Sequence, residues 1–180
     1  MNIQKMFSTN ERIKILNYIM EDPTETYRVN DVSRKLKLSK GIVSGYFNLL
    51  LKQNILKKKG NIFLVNLNPL SRTIKILLNL NEIDIKPLLK LKPKAVGLYG
   101  SWAQGTNNKE SDIDLWIRFD KTIKQEKIAE AQGKMRDKLK YEVNILCLDP
   151  ERLEKIKRDK LFFHSLVFGS IILYGEGLET

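Results

Sequence analysis

Ala95-Val96-Gly97-Leu98-Tyr99-Gly100-Ser101, followed after ten residues by Asp112-Ile113-Asp114-Leu115-Trp116-Ile117, is the stretch that decides the fold of most of this chain. Residues 95–99 form a short apolar run between Pro93 and Gly100, the pattern of a buried strand. Residues 100–106 read as a polar loop. The run after it alternates, with Asp112 and Asp114 facing one way and Ile113 and Leu115 the other. In a strand, side chains two residues apart share a face, about 7 Å from each other. Two carboxylates so placed can bracket metal ions, and two-metal phosphoryl chemistry needs ions about 3.5–4 Å apart. Mg²⁺ suits such a site because it is a hard cation that takes oxygen ligands and substrate phosphates. Gly100 and Ser101 add backbone N–H groups and a hydroxyl that can cradle terminal phosphates, and a Cβ at Gly100 would hold a triphosphate away from the backbone.

Working outward, residues 124–140 carry Ile128, Ala131, Met135 and Leu139 at helical spacing, residues 143–148 read as a third strand, and residues 150–157 start another helix. Residues 171–176 read as a closing segment. On Gly100-Ser101…Asp112-Ile113-Asp114, residues 95–175 resemble a minimal nucleotidyltransferase domain of the DNA polymerase β superfamily. The resemblance implies a small mixed sheet flanked by helices and transfer of a nucleoside monophosphate from an NTP to a protein or RNA hydroxyl, with release of pyrophosphate. It implies that Asp112 and Asp114 are catalytic and hold Mg²⁺, and that Gly100 and Ser101 bind the nucleotide. The family's third carboxylate position holds Asn144, which can offer an amide oxygen but cannot act as a base. Glu142, two residues earlier, shares its face and is the alternative ligand. Because general-base help is worth roughly 10²–10⁴-fold, two readings stand side by side. One is a slow nucleotidyltransferase. The other is a regulator that binds NTP as an effector without efficient turnover.

The N-terminal third has a different character. Ile13, Leu16, Ile19 and Met20 make one helical stripe, with Asn10 as the expected N-cap and Asp22-Pro23 as the stop. Val29, Val32 and Leu36 make a second, begun by Asn30 or Asp31. Ser39 caps a third, whose apolar face is Ile42, Val43, Phe47, Leu50 and Leu51. Ile55-Leu56 and residues 62–65 are strand-like, with Lys57-Lys58-Lys59-Gly60-Asn61 as a basic turn between them. Residues 8–67 resemble a winged helix-turn-helix of transcription regulators. That resemblance places the third helix in a DNA major groove, with Ser39, Lys40, Ser44 and Asn48 reaching phosphates or base edges and Lys57, Lys58 and Lys59 touching the backbone. Winged helices also dock proteins, and the third helix carries no arginine.

The expected architecture is therefore α+β: a winged helix over residues 1–68, connecting helices over 69–93, and a mixed-sheet nucleotidyltransferase domain over 94–180. The chain has 180 residues, 42% apolar and 29% charged, with a net charge of +11. Residues 1–68 hold twelve Lys and Arg against five Asp and Glu, so the excess concentrates there and favours a polyanionic partner, DNA above all. Small domains of this type often act in toxin–antitoxin pairs, so the resemblance also implies a protein acceptor or toxin partner and autoregulation. The short apolar repeat of the connecting helices leaves a homodimer open. The lone Cys147 reads as a small buried hydrophobe. With neither a signal-peptide pattern nor an apolar run long enough to span a membrane, the expected location is cytoplasmic. Trp102, Trp116 and His164 read as packing residues. Arg118, Lys134 and Arg136 are cations near enough in sequence to meet phosphates.

Overall fold

The computed structural model describes residues 3–179, and the chain divides into two compact units, Met1–Lys75 and Ile76–Thr180. The division falls inside the stretch read as connecting helices.

The first unit runs α1 (Ile3–Met6), α2 (Asn10–Glu21), β1 (Thr26–Tyr27), α3 (Val29–Leu36), α4 (Lys40–Lys52), β2 (Leu56–Lys59) and β3 (Ile62–Val65), then the first half of α5 (Pro69–Glu82). Thr9, not Asn10, caps α2, its hydroxyl accepting from Arg12 N at 3.3 Å. Helix α3 starts one residue before the expected Asn30, behind Arg28. It ends on Lys37 in the left-handed region, and Leu38 N donates to Ser33 O at 3.0 Å, which makes the turn of the helix-turn-helix tight. Ser39 caps α4 by accepting from Ile42 N. Ile15, Leu16, Ile19, Val43, Phe47, Leu50 and Ile55 are fully buried and form the core. Ile42, assigned to the apolar face, is 44% exposed, and Tyr46 fills the interior instead, its hydroxyl donating to Met6 O. Lys57, Lys58 and Lys59 lie in β2 and not in the turn, which is Gly60-Asn61 alone with Gly60 at φ +60°. A strand absent from the sequence reading, β1, completes an antiparallel sheet of order β1-β3-β2.

The second unit continues from α5 through α6 (Lys86–Leu89), β4 (Ala95–Tyr99), α7 (Gly100–Gln104), β5 (Ile113–Arg118), α8 (Gln125–Leu139), β6 (Val143–Leu148), α9 (Pro150–Arg158), α10 (Lys160–Gly169) and β7 (Ile171–Gly175). Pro87 lies in the first turn of α6, where its missing N–H costs nothing, so it opens that helix and does not interrupt one. The sheet has the order β6-β5-β4-β7, with β5 and β6 parallel and the other pairs antiparallel. Residues 100–104, read as loop, are a short helix because Trp102 and Ala103 turn inward and bury against the sheet. Trp116 is wholly buried, its indole N–H donating to Ser170 Oγ at 2.9 Å. Gly97 faces it across the strand pair, and a Cβ there would stand 2.3 Å from the indole ring. Asn79 of α5 donates to Trp102 O and to Asn107 Oδ1, which holds the loop leading to β5. Helix α10 was not anticipated. Of its apolar residues Leu166 is buried, whereas Leu161 and Phe168 are exposed. No helix among the described residues is long and apolar enough to cross a membrane.

Candidate functional sites

Parallel pairing of β5 with β6 puts Asp114 directly opposite Asn144. Asp112 lies just before β5, outside the strand, yet its carboxylate still converges with that of Asp114. Asn144 Nδ2 donates to Asp112 Oδ2 at 3.3 Å and to Asp114 Oδ1 at 3.1 Å. The two acids and the amide thus form one cluster, solvent-facing at Asp112 and Asn144 and half-buried at Asp114. Glu142 points elsewhere: its carboxylate pairs with Arg136 Nη1 at 3.6 Å, while its backbone oxygen accepts from Ile113 N. Among the described residues there is no group of three or more His, Cys, Asp and Glu side chains that would hold a metal by themselves.

Gly100 stands beside this cluster with φ +71°, and a Cβ on it would lie 2.6 Å from Asp114 Oδ2. The backbone conformation therefore favours glycine there, and an added Cβ would displace the Asp114 carboxylate. Ser101 follows in α7, and its backbone oxygen accepts from Thr106 N. Tyr99, paired across the sheet with Asp114, has its phenol pushed above the ordinary range by burial and then by the Asp114 charge, with Arg152 opposing. Arg152 on α9 is a cation whose charge reaches Tyr99, and sequence reasoning missed it because only the fold brings the two together. The three cations it named go to other duties: Arg118 donates to Gly177 O, Lys134 pairs with Glu130, and Arg136 with Glu142. Cys147 is buried, which raises its thiol above the usual range, and His164 is exposed and touches the rings of Phe163 and Phe168.

In the first unit, Ser44 and Asn48 of α4 and Lys58 of β2 line one polar cavity of about 610 Å³. Arg28, Asn30 and Asn61 line it too, none of which the sequence reading assigned to DNA contact. Ser39 and Lys40 are exposed at the start of α4 and lie outside that cavity. Lys57 and Lys59 fall on the opposite face of β2 from Lys58, whose ammonium sits 5.5 Å from the centre of the Phe63 ring.

Residues 83–165 match the family model described as "Polymerase beta, Nucleotidyltransferase", and residues 9–58 match that described as "Bacterial regulatory protein, arsR family". No curated protein matches the chain. Similar solved structures include a toxin–antitoxin with AMP-PNP, 21% identical over 61% of this chain and 75% of that chain, TM-score 0.38. Another is a tri-AMPylated Shewanella oneidensis HEPN toxin in complex with MNT antitoxin, 22% identical over 56% and 73%, TM-score 0.39. A mutant of the toxin–antitoxin MntA-HpeT is 20% identical over 52% and 75%, TM-score 0.41.

Proposed function

We propose, for a chain that joins an arsR-type helix-turn-helix to a polymerase-β-type nucleotidyltransferase domain, that the second unit transfers a nucleoside monophosphate from an NTP to a protein or RNA hydroxyl. The observation that carries this reading is the convergence of Asp112 and Asp114 within reach of one amide, beside a glycine whose Cβ would fill the space. The donor set is all oxygen and largely anionic, which fits Mg²⁺, with Asp112 and Asp114 as its ligands. Bound there, the ion would neutralise charge on the transferring phosphates. Gly100 and Ser101 line the side on which the phosphates would lie. In the reaction the acceptor oxygen bonds to the α-phosphorus, the bond from that phosphorus to its bridging oxygen breaks, and pyrophosphate leaves. Asn144 cannot take the acceptor's proton, so the proton passes to water and turnover is slow. With Ser44, Asn48 and Lys58 gathered on one face of the first unit, DNA is its proposed partner, and the whole chain reads as an antitoxin-type autoregulator acting on a protein partner.

The test is incubation with labelled NTPs, Mg²⁺ and candidate acceptors. Label should appear on an acceptor and disappear with Asp112→Ala or Asp114→Ala. The amide at position 144 favours one second reading, NTP as a regulatory effector. Measurable NTP binding that alters DNA affinity, with no label on any acceptor, would replace the first reading by the second.

A further inference from the structure

At the far end of the β4–β5 pair from Asp114 lies a cavity of about 730 Å³, a volume typical of small-ligand sites. Five strand residues at about 3.3 Å each separate the two ends by roughly 16 Å. Six lysines line the cavity: Lys90, Lys92 and Lys94 before β4, and Lys121, Lys124 and Lys127 between β5 and the first turn of α8. Among the described residues Asp120 is the one acid lining it, and Lys94 engages it at 3.4 Å. Elsewhere in this unit several lysines pair with acids, as in Lys138–Asp84, Lys134–Glu130, Lys155–Glu151 and Lys157–Glu154. Of the six cavity lysines, Lys94 alone makes such a pair among the described residues. Lys124 and Lys127 also stand at the N-terminal end of α8, the end where the helix dipole disfavours cations and welcomes anions. Lys92 holds a left-handed backbone, φ +54°, at the turn that brings its segment to the cavity. Pro93 and Phe119, both buried, line the cavity as well and give it apolar wall.

We infer that this cavity is a second anion site, which binds a chain of phosphates in contact with both lysine segments. Six ammonium groups against one carboxylate suit a ligand with several negative charges and exceed what a single phosphate would neutralise. The chemistry is shared by a nucleoside polyphosphate and by the backbone of a single-stranded nucleic acid. The site stands whether or not Asp112 and Asp114 hold a metal.

The experiment is calorimetric titration of the full chain with inorganic tripolyphosphate in EDTA, paired with amine labelling read by mass spectrometry. Tripolyphosphate should protect the cavity lysines from labelling and leave Lys155 and Lys157 reactive. K121Q/K124Q/K127Q should weaken binding at least about tenfold, and K90Q/K92Q, from the other segment, should weaken it in the same direction. K155Q/K157Q should change it less than about twofold. ATP and a single-stranded oligonucleotide then compete for the site, and the one that displaces tripolyphosphate identifies the source. Absence of protection, equal loss in the α9 variant, or displacement by neither competitor overturns the inference.

Discussion

Asn144→Asp places a third carboxylate where the amide now bonds Asp112 and Asp114 at 3.3 and 3.1 Å. Two attractive N–H···O contacts become two like-charge pairs. If the side chains relax to about 4 Å in a water-like medium, each pair costs about 1 kcal/mol, so about 2 kcal/mol in all. For a unit the size of Ile76–Thr180, that corresponds to a fall in Tm of roughly 8–10 °C. Both tryptophans, Trp102 and Trp116, are buried in this unit and none occurs in the other, so their fluorescence reports its melting alone. The expected result is a lower Tm for Asn144→Asp in EDTA and recovery to or above wild type in millimolar Mg²⁺, because a ligand that binds only the folded state stabilises it. A variant that melts with wild type in EDTA shows that the carboxylates do not converge. A deficit that Mg²⁺ leaves untouched shows that the cluster is not a cation site. Either result refutes the reasoning.

The same geometry sets four further outcomes. Asn144→Asp should speed nucleotidyl transfer to the accepted substrate by about 10²-fold or more, measured with labelled NTP, if a missing base limits the rate. Gly97→Ala, which sets a Cβ 2.3 Å from the Trp116 indole, should cost about 3 kcal/mol, the upper end for overpacking, in a denaturant melt followed by tryptophan fluorescence. Lys58→Gln should lower the salt slope of DNA binding by about 0.9, and Lys57→Gln with Lys59→Gln should lower it less, since those two leave the cavity that holds Ser44 and Asn48. Burial raises the phenols of Tyr27 and Tyr46, helped at Tyr27 by the charge of Asp22 and opposed at Tyr46 by Arg12. Unfolding lets both ionise near their ordinary value of about 10. Stability from these groups is therefore complete below that value and lost as pH rises through it toward the folded values. Melts at pH 9 and 11, following the part of the far-UV CD signal that tryptophan does not track, should show the loss in wild type and a smaller loss in Tyr27→Phe/Tyr46→Phe.

Strand β4 was legible as an apolar run ended by Gly100, and strand β6 because its apolar residues, broken only by Asn144, run up to Asp149-Pro150. The alternation after Ser111 placed Asp114 on the right face, but Asp112 lies outside β5, where strand periodicity no longer governs its direction. The short helix α7 was hidden by polar neighbours: only Trp102 and Ala103 bury, and five residues give no periodic signal. Lys57–Lys59 resembled a turn because charge suggests exposure, yet the outer faces of a two-stranded wing are exposed as well. The fate of Glu142 depended on Arg136, a residue of a different element whose approach no local pattern encodes. The lysine cavity was invisible for the same reason, since its two segments lie about thirty residues apart and meet only when β4 pairs antiparallel with β5.

The amide that ties Asp112 to Asp114 also has a genetic meaning. Codons for asparagine and aspartate differ by a single base, so the bridged pair and a three-carboxylate centre are neighbours in mutational space. A lineage carrying this fold can cross between them in one step, without rebuilding a strand or moving a backbone atom. The amide at position 144 thus stands one base change away from a third carboxylate on the same strand.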